Sequence, residues 1–192
     1  MSDTRALILH HLLPLVPFNG WTEYSLREAA RHARLDPTAI KHAFPRGIND
    51  CVEYFFIEAD EALAKECPQE ILAQKRMPER IESLILARLA HWLPHRETVR
   101  RTVTRQSLPW NAISGLKPLY HSIDRMWRLA GDSSTDFSFY TKRITLAGLY
   151  TSTLLYWLND QSSEQMDTHE FLKHRLKNIA DFGHWKKKLF NS

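Results

Sequence analysis

Apolar residues along the chain recur at spacings of three and four, and no segment sustains the alternation of a strand. Pro, Gly and Asp/Ser/Thr positions cut this pattern into about eight or nine helices. The first is expected over about residues 4–16, with Leu7, Ile8, Leu12, Leu15 and Val16 as its apolar side and Pro14 as a kink. Asn19 and Gly20 close it. A second starts near Thr22 and presents Leu26, Ala29, Ala30 and Ala33; Asp36 as N-cap and Pro37 at the first helical position then open a short third, ending by Phe44 and Pro45.

A fourth helix is expected over about residues 49–66, carrying Val52, Phe55, Phe56, Ala59, Ala62 and Leu63. A fifth begins at Pro78, and a sixth lies between Pro94 and Pro109 with Arg96, Arg100, Arg101 and Arg105 on its outer side. The seventh, about 114–130, is stopped by Gly131. The eighth follows the caps Ser134 or Asp136 and runs to Leu158; beyond Ile144 it is apolar on nearly all sides, so a dimer interface shared with the last helix would cover it. That last helix opens on Asp167-Thr-His-Glu170, a capping-box-like pattern, and is expected to end at Gly183. The fold class is therefore all-α, with three parts: 1–47, 48–183 and a basic aromatic tail at 184–192.

Composition changes this picture little. With 192 residues, 43% hydrophobic, 25% charged and only 6 Gly, the chain has the make-up of a helical globular protein. The formal charge of +4 permits attraction to nucleic acid or anionic lipid without demanding either. Cys51 and Cys67 are too far apart along one helix to bridge and read as reduced thiols. The longest uncharged run, 144–159, is interrupted by Thr145, Thr151, Ser152 and Thr153 and is too short for a membrane span.

Catalytic patterns are absent: there is no Gly-rich phosphate loop, no His-Glu-x-x-His and no Cys-x-x-Cys. Ten histidines are scattered, and Glu28–His32 and Glu170–His174 are spaced by four where a di-iron bundle needs three. No metal, no cofactor and no enzymatic activity are expected.

The stretch "SLREAARHARLDPTAIKHAFPRG" resembles the helix-turn-helix head of a TetR-type regulator. Arg27, Arg31, Arg34, Lys41 and Arg46 could meet phosphates, but the third helix offers only Lys41, His42 and Thr38 to base edges. DNA is not the expected partner, and a ligand-responsive TetR-type repressor is the alternative reading.

Residues 120–158, "YHSIDRMWRLAGDSSTDFSFYTKRITLAGLYTSTLLYWL", resemble the signature of the Coq-nine family, accessory proteins of ubiquinone biosynthesis. The matching positions are Asp124, Met126-Trp127, Ala130-Gly131-Asp132, 134–137, Tyr140-Thr141 and the basic pair 142–143, supported by "VPFNGWT" (16–22), "SLPWN" (107–111) and "FLKHRLKNIADFG" (171–183). The resemblance implies a TetR-like fold turned away from DNA, a homodimer, a bundle pocket for an isoprenoid quinone or other lipid, and a di-iron demethoxyubiquinone hydroxylase as partner. It assigns hydroxylase contact to Asp124, Met126, Asp136, Phe139 and Tyr140; Phe139 stands where the family pattern has Trp.

Phe55, Phe56, Leu89, Trp92, Trp110 and Tyr120, the large inward residues of the middle helices, are the expected lipid-site lining. Trp185, Lys186, Lys187, Lys188, Leu189 and Phe190 form a weak membrane-surface contact in expectation. The matching localisation is cytoplasmic, peripheral to a bacterial inner membrane, or the matrix face of a mitochondrion for an organellar protein; the missing transit-like leader favours the bacterium.

Overall fold

The computed structural model describes residues 2–109, 111–133 and 137–190, with side chains described outside 2–3, 112–114, 137–138 and 180–190. The described residues form helices joined by turns, in the order α1 (Ser2–Leu12), α2 (Val16–Asn19), α3 (Glu23–His32), α4 (Pro37–Ala43), α5 (Ile48–Glu66), α6 (Gln69–Ala73), α7 (Met77–Trp92), α8 (Arg96–Gln106), α9 (Ala112–Leu129), α10 (Phe137–Trp157) and α11 (Met166–Phe190). Short 3-10 turns at Leu93–His95 and Ser163–Gln165 precede α8 and α11.

Two compact units divide the chain: 1–63 with 91–122, and 64–90 with 123–192. In the first, α1 packs along α3 and touches α4, burying Ile8, Leu12, Leu26 and Ala29. Thr22 caps α3 by accepting from the Ser25 amide at 3.1 Å, and Asp36 caps α4 by accepting from the Thr38 amide at 2.7 Å. Arg34, at φ 55°, makes the left-handed turn between them. Trp21 is pinned from α8, its indole N–H donating to Thr102 Oγ1 at 2.9 Å.

The second unit buries Ile81, Leu84 and Ile85 of α7, Met126 of α9, Leu146, Tyr150 and Trp157 of α10, and Leu172 of α11. Arg80 ties its turns together by donating to the carbonyls of Ala73, Lys75 and Ala130.

Three expectations are corrected. The first helix stops at Leu12 and resumes as α2, because Pro14 supplies no amide to continue the ladder. The last helix passes Gly183 and continues to Phe190; a lone helical glycine costs about 1 kcal/mol against Ala and does not by itself end a helix. Nor does Asp167 cap α11. The amide of Asp167 donates to Ser162 Oγ and that of Thr168 to the buried Asp160 Oδ2, so the cap comes from the preceding loop. Among the described residues no helix is long and apolar enough to cross a membrane.

Candidate ligand and partner site

The corner where α9 ends begins with Gly131, whose φ of +90° is open to glycine at little cost. Its amide donates to Arg128 O and that of Asp132 to Trp127 O, closing the last turn of α9. Asp132 is thereby brought against α10, where Lys142 Nζ donates to Asp132 Oδ1 at 2.6 Å. The Trp127 indole N–H donates to the Lys142 carbonyl at 3.0 Å, and the Lys142 ammonium lies 5.8 Å from the Trp127 ring centre.

Next to it, the Arg143 side chain is 6% exposed. Its Nε and Nη2 donate to Asp124 Oδ1 at 2.9 and 2.6 Å, Nη1 donates to the Phe139 carbonyl at 3.3 Å, and the guanidinium lies 3.3 Å from the Phe139 ring centre. Arg128 completes the cluster on Asp124 at 2.6 Å. Burial alone would raise the Asp124 carboxyl; the hydrogen bonds from Arg128 and Arg143 outweigh it and hold the group below the usual carboxylate range.

Of the expected contact residues, Tyr140 is the open one, 65% exposed and edge-on to Phe139 at 5.2 Å. Phe139 is half-buried under Arg143, and Asp124 is half-buried and engaged. Met126 is corrected: it is completely buried on the inner side of α9 and presents nothing to a partner. Asp136 lies outside the described residues.

Beside this corner, within the second unit, is an apolar cavity of about 320 Å³. Met77, Pro78 and Ile81 come from α7, Trp127 from α9, Leu146 and Leu149 from α10, and Leu176 and Ile179 from α11; Thr141, Lys142 and Thr145 complete the lining. Such a space suits an apolar ligand with one polar end, since Lys142 is its single charged liner among the described residues. None of Phe55, Phe56, Leu89, Trp92 and Tyr120 is among its described liners. The signal that could have found it is the row Thr141, Thr145, Leu149 along the apolar stretch of α10.

The expected lining is distributed differently. Phe55 and Trp92 stack at 5.3 Å with 14° between planes, Phe56 meets both rings edge-on, and Phe55 and Trp92 line a different cavity of the first unit. Leu89 is buried on α7. Tyr120 is half-exposed and meets only the His121 ring among the described aromatic contacts. Trp110 lies outside the described residues. Trp185, Lys186, Lys187, Lys188, Leu189 and Phe190 fall on the backbone of α11, with side chains outside the description.

On α4, Lys41 and His42 are exposed, while Thr38 Oγ1 is bonded to Asp36. Arg46 is engaged by Asp50 and Glu53, and Arg31 by Glu28. Among the described residues no group of three His, Cys, Asp or Glu is placed to hold a metal ion.

A family model described as COQ9 matches residues 112–183. Over 95% of its length the chain is 31% identical to the mitochondrial ubiquinone biosynthesis protein COQ9 of Homo sapiens, of which it covers 59%. It is 32% identical to COQ9-B of Xenopus laevis over 95% of the chain and 64% of that protein, and 28% identical to coq9 of Schizosaccharomyces pombe over 92% of the chain and 70% of that protein. The chain thus spans about 59% of the length of its human relative. In three dimensions it is similar to the crystal structure of the TetR transcriptional regulator from Nitrosomonas europaea, with a TM-score of 0.75 at 20% identity, covering 93% of this chain and 98% of that one. The fold is all-α and TetR-like, an N-terminal helical unit followed by a helical bundle.

Proposed function

We propose, from its similarity to the COQ9 family, that the chain is a non-enzymatic accessory of ubiquinone biosynthesis that binds an isoprenoid quinone intermediate and presents it to the demethoxyubiquinone hydroxylase. The observation that carries this reading is the apolar cavity of the second unit, whose polar liners Thr141 and Lys142 directly follow the exposed Tyr140. Cargo and contact surface are neighbours along one helix. Isoprenoid units fill the space between Ile81, Leu146, Leu149 and Leu176, and the head group lies toward Lys142. Tyr140 is the anchor of the hydroxylase contact, of the aromatic kind that dominates protein interfaces, and the Asp124–Arg143 pair holds its helix in place.

The homodimer forms through α10 and α11. Ile144 is 72% exposed, and Gly148, Leu155 and Tyr156 continue a stripe of exposed small and apolar positions along α10. The protein works at the membrane surface that holds its cargo, through the end of α11, in the bacterial cytoplasm or the mitochondrial matrix.

The test is native mass spectrometry and solvent extraction of the purified chain, with pull-down of the hydroxylase. Leu149→Trp, which fills the cavity, is expected to lose the co-purifying isoprenoid, and Tyr140→Ala to lose the hydroxylase while keeping the lipid. A lipid-free wild-type protein that binds duplex DNA with steep salt dependence would replace this reading with the repressor.

A further inference from the structure

We propose that the cavity of the first unit, bounded by α1, α5, the end of α7 and the Leu93–His95 turn, is a second ligand site that takes a small aromatic carboxylate. Its volume is about 320 Å³, within the range of small-molecule pockets. Part of the lining is apolar: Ala6, Leu9 and Leu13 with the stacked rings of Phe55 and Trp92. That wall suits a flat apolar body.

The rest is a concentration of imidazole. His10 comes from α1, His91 from α7, His95 from the turn, and Glu58 of α5 is the single acidic liner among the described residues. Glu58 Oε2 is already engaged, 3.2 Å from His91 Nε2. Neither the His10 nor the His95 ring makes a hydrogen bond to a described residue, so both retain donors that a ligand could use. Three imidazoles against one carboxylate disfavour a cationic ligand, and a neutral aromatic without an acceptor would leave the imidazole N–H donors unmatched. A carboxylate on a ring satisfies both halves of the lining. Among the described residues no Lys or Arg lines the cavity, which argues against a multiply charged phosphate.

The protonation chemistry agrees with this geometry. Burial pushes His95 below its ordinary value and the neighbouring His91 and His10 push it further, against the opposing pull of Glu58. His95 is therefore mostly neutral near pH 7, and an anion placed beside it restores its affinity for a proton. Binding of the carboxylate then takes up a proton, and affinity rises as pH falls from about 8 to 6 by at most about tenfold per unit for each proton taken up.

Calorimetric titration of the full chain with benzoate, in two buffers of different ionisation heat, tests this. Benzoate is expected to bind with net proton uptake, and benzamide and acetate to bind at least about tenfold more weakly, since one lacks the charge and the other the ring. His95→Gln should cost about tenfold and flatten the pH dependence; Ala6→Trp, at the exposed rim, should block binding with the circular dichroism unchanged. Absence of benzoate binding, equal binding of benzamide, or unchanged affinity in Ala6→Trp would each overturn the proposal. Benzoate carries no isoprenoid chain, so the result is independent of whether the second-unit cavity holds a lipid.

Discussion

Arg143→Met should cost the second unit about 3 kcal/mol, because removing one partner of a buried charge pair leaves the other without compensation, at about 3–5 kcal/mol. Two observations place this case at the lower end of that range. Asp124 keeps Arg128 at 2.6 Å, and Asp132 keeps Lys142 at 2.6 Å, so neither carboxylate is left wholly alone. What is lost is the pair of bonds from Nε and Nη2 to Asp124, the bonds from Nη1 to the Phe139 carbonyl and, at 3.5 Å, to Asp132 Oδ2, and the packing of the guanidinium on the Phe139 ring. Methionine keeps much of the apolar stem, which limits the packing loss. Adding Asp124→Asn should recover roughly 2 kcal/mol of the cost, since the orphaned charge disappears with its partner.

The same pair sets a pH signature. Asp124 is held below its ordinary value in the folded chain, so its contribution is present above the unfolded carboxylate pKa and is lost as pH falls through the folded one. The gap between wild type and Arg143→Met should shrink below about pH 4. Urea titration by circular dichroism, with amide exchange read over 139–146, measures both. A gap under about 0.5 kcal/mol at pH 7, or one unchanged by acid, would refute the assignment.

Asp160→Asn should destabilise the α10–α11 loop. Burial would raise this carboxyl, but hydrogen bonds from Ser162 and Thr168 hold it at about 2. The corresponding stabilisation, about 2 kcal/mol, is full above about pH 4 and lost as pH falls through about 2, so the variant should have a flatter acid limb in thermal melts. Gly131→Ala should cost about 2 kcal/mol, from φ +90° and a Cβ placed 3.1 Å from Arg80 Nη1, checked by the urea midpoint. Cys51 and Cys67 are buried and burial pushes both thiols up, so the native chain should react with a thiol reagent at about pH 8 far more slowly than the chain in urea.

Much of the architecture was readable because it is local. Thr22, Asp36 and Gly131 end or start helices through contacts within a few residues, and these positions stand where their chemistry places them. The corner around residue 131 was readable for the same reason. Long-range partners were not. That Met126 faces inward while Tyr140 faces solvent depends on how α9 and α10 pack, and both lie in one sequence of mixed aromatic and charged residues. Asp160 reads as a loop residue, yet it caps a helix starting six residues later. The aromatic residues of α5 and α7 were legible as a cluster; that a cavity with three imidazoles adjoins them depends on α1 and the 93–95 turn arriving from distant parts of the chain.

The walls of the second-unit cavity differ in stiffness. α10 is fastened to the α9 corner by the indole of Trp127, by Lys142 and by Arg143, whereas α11 is secured near its start, through Asp160, the Trp157–Gln165 bond and the Tyr156–Phe171 stack. Farther along, the described residues of its wall are two aliphatic side chains, Leu176 and Ile179. A bulky guest would find the least resistance there, with α11 splaying about its anchored end like a hinged panel while the frame opposite stays fixed.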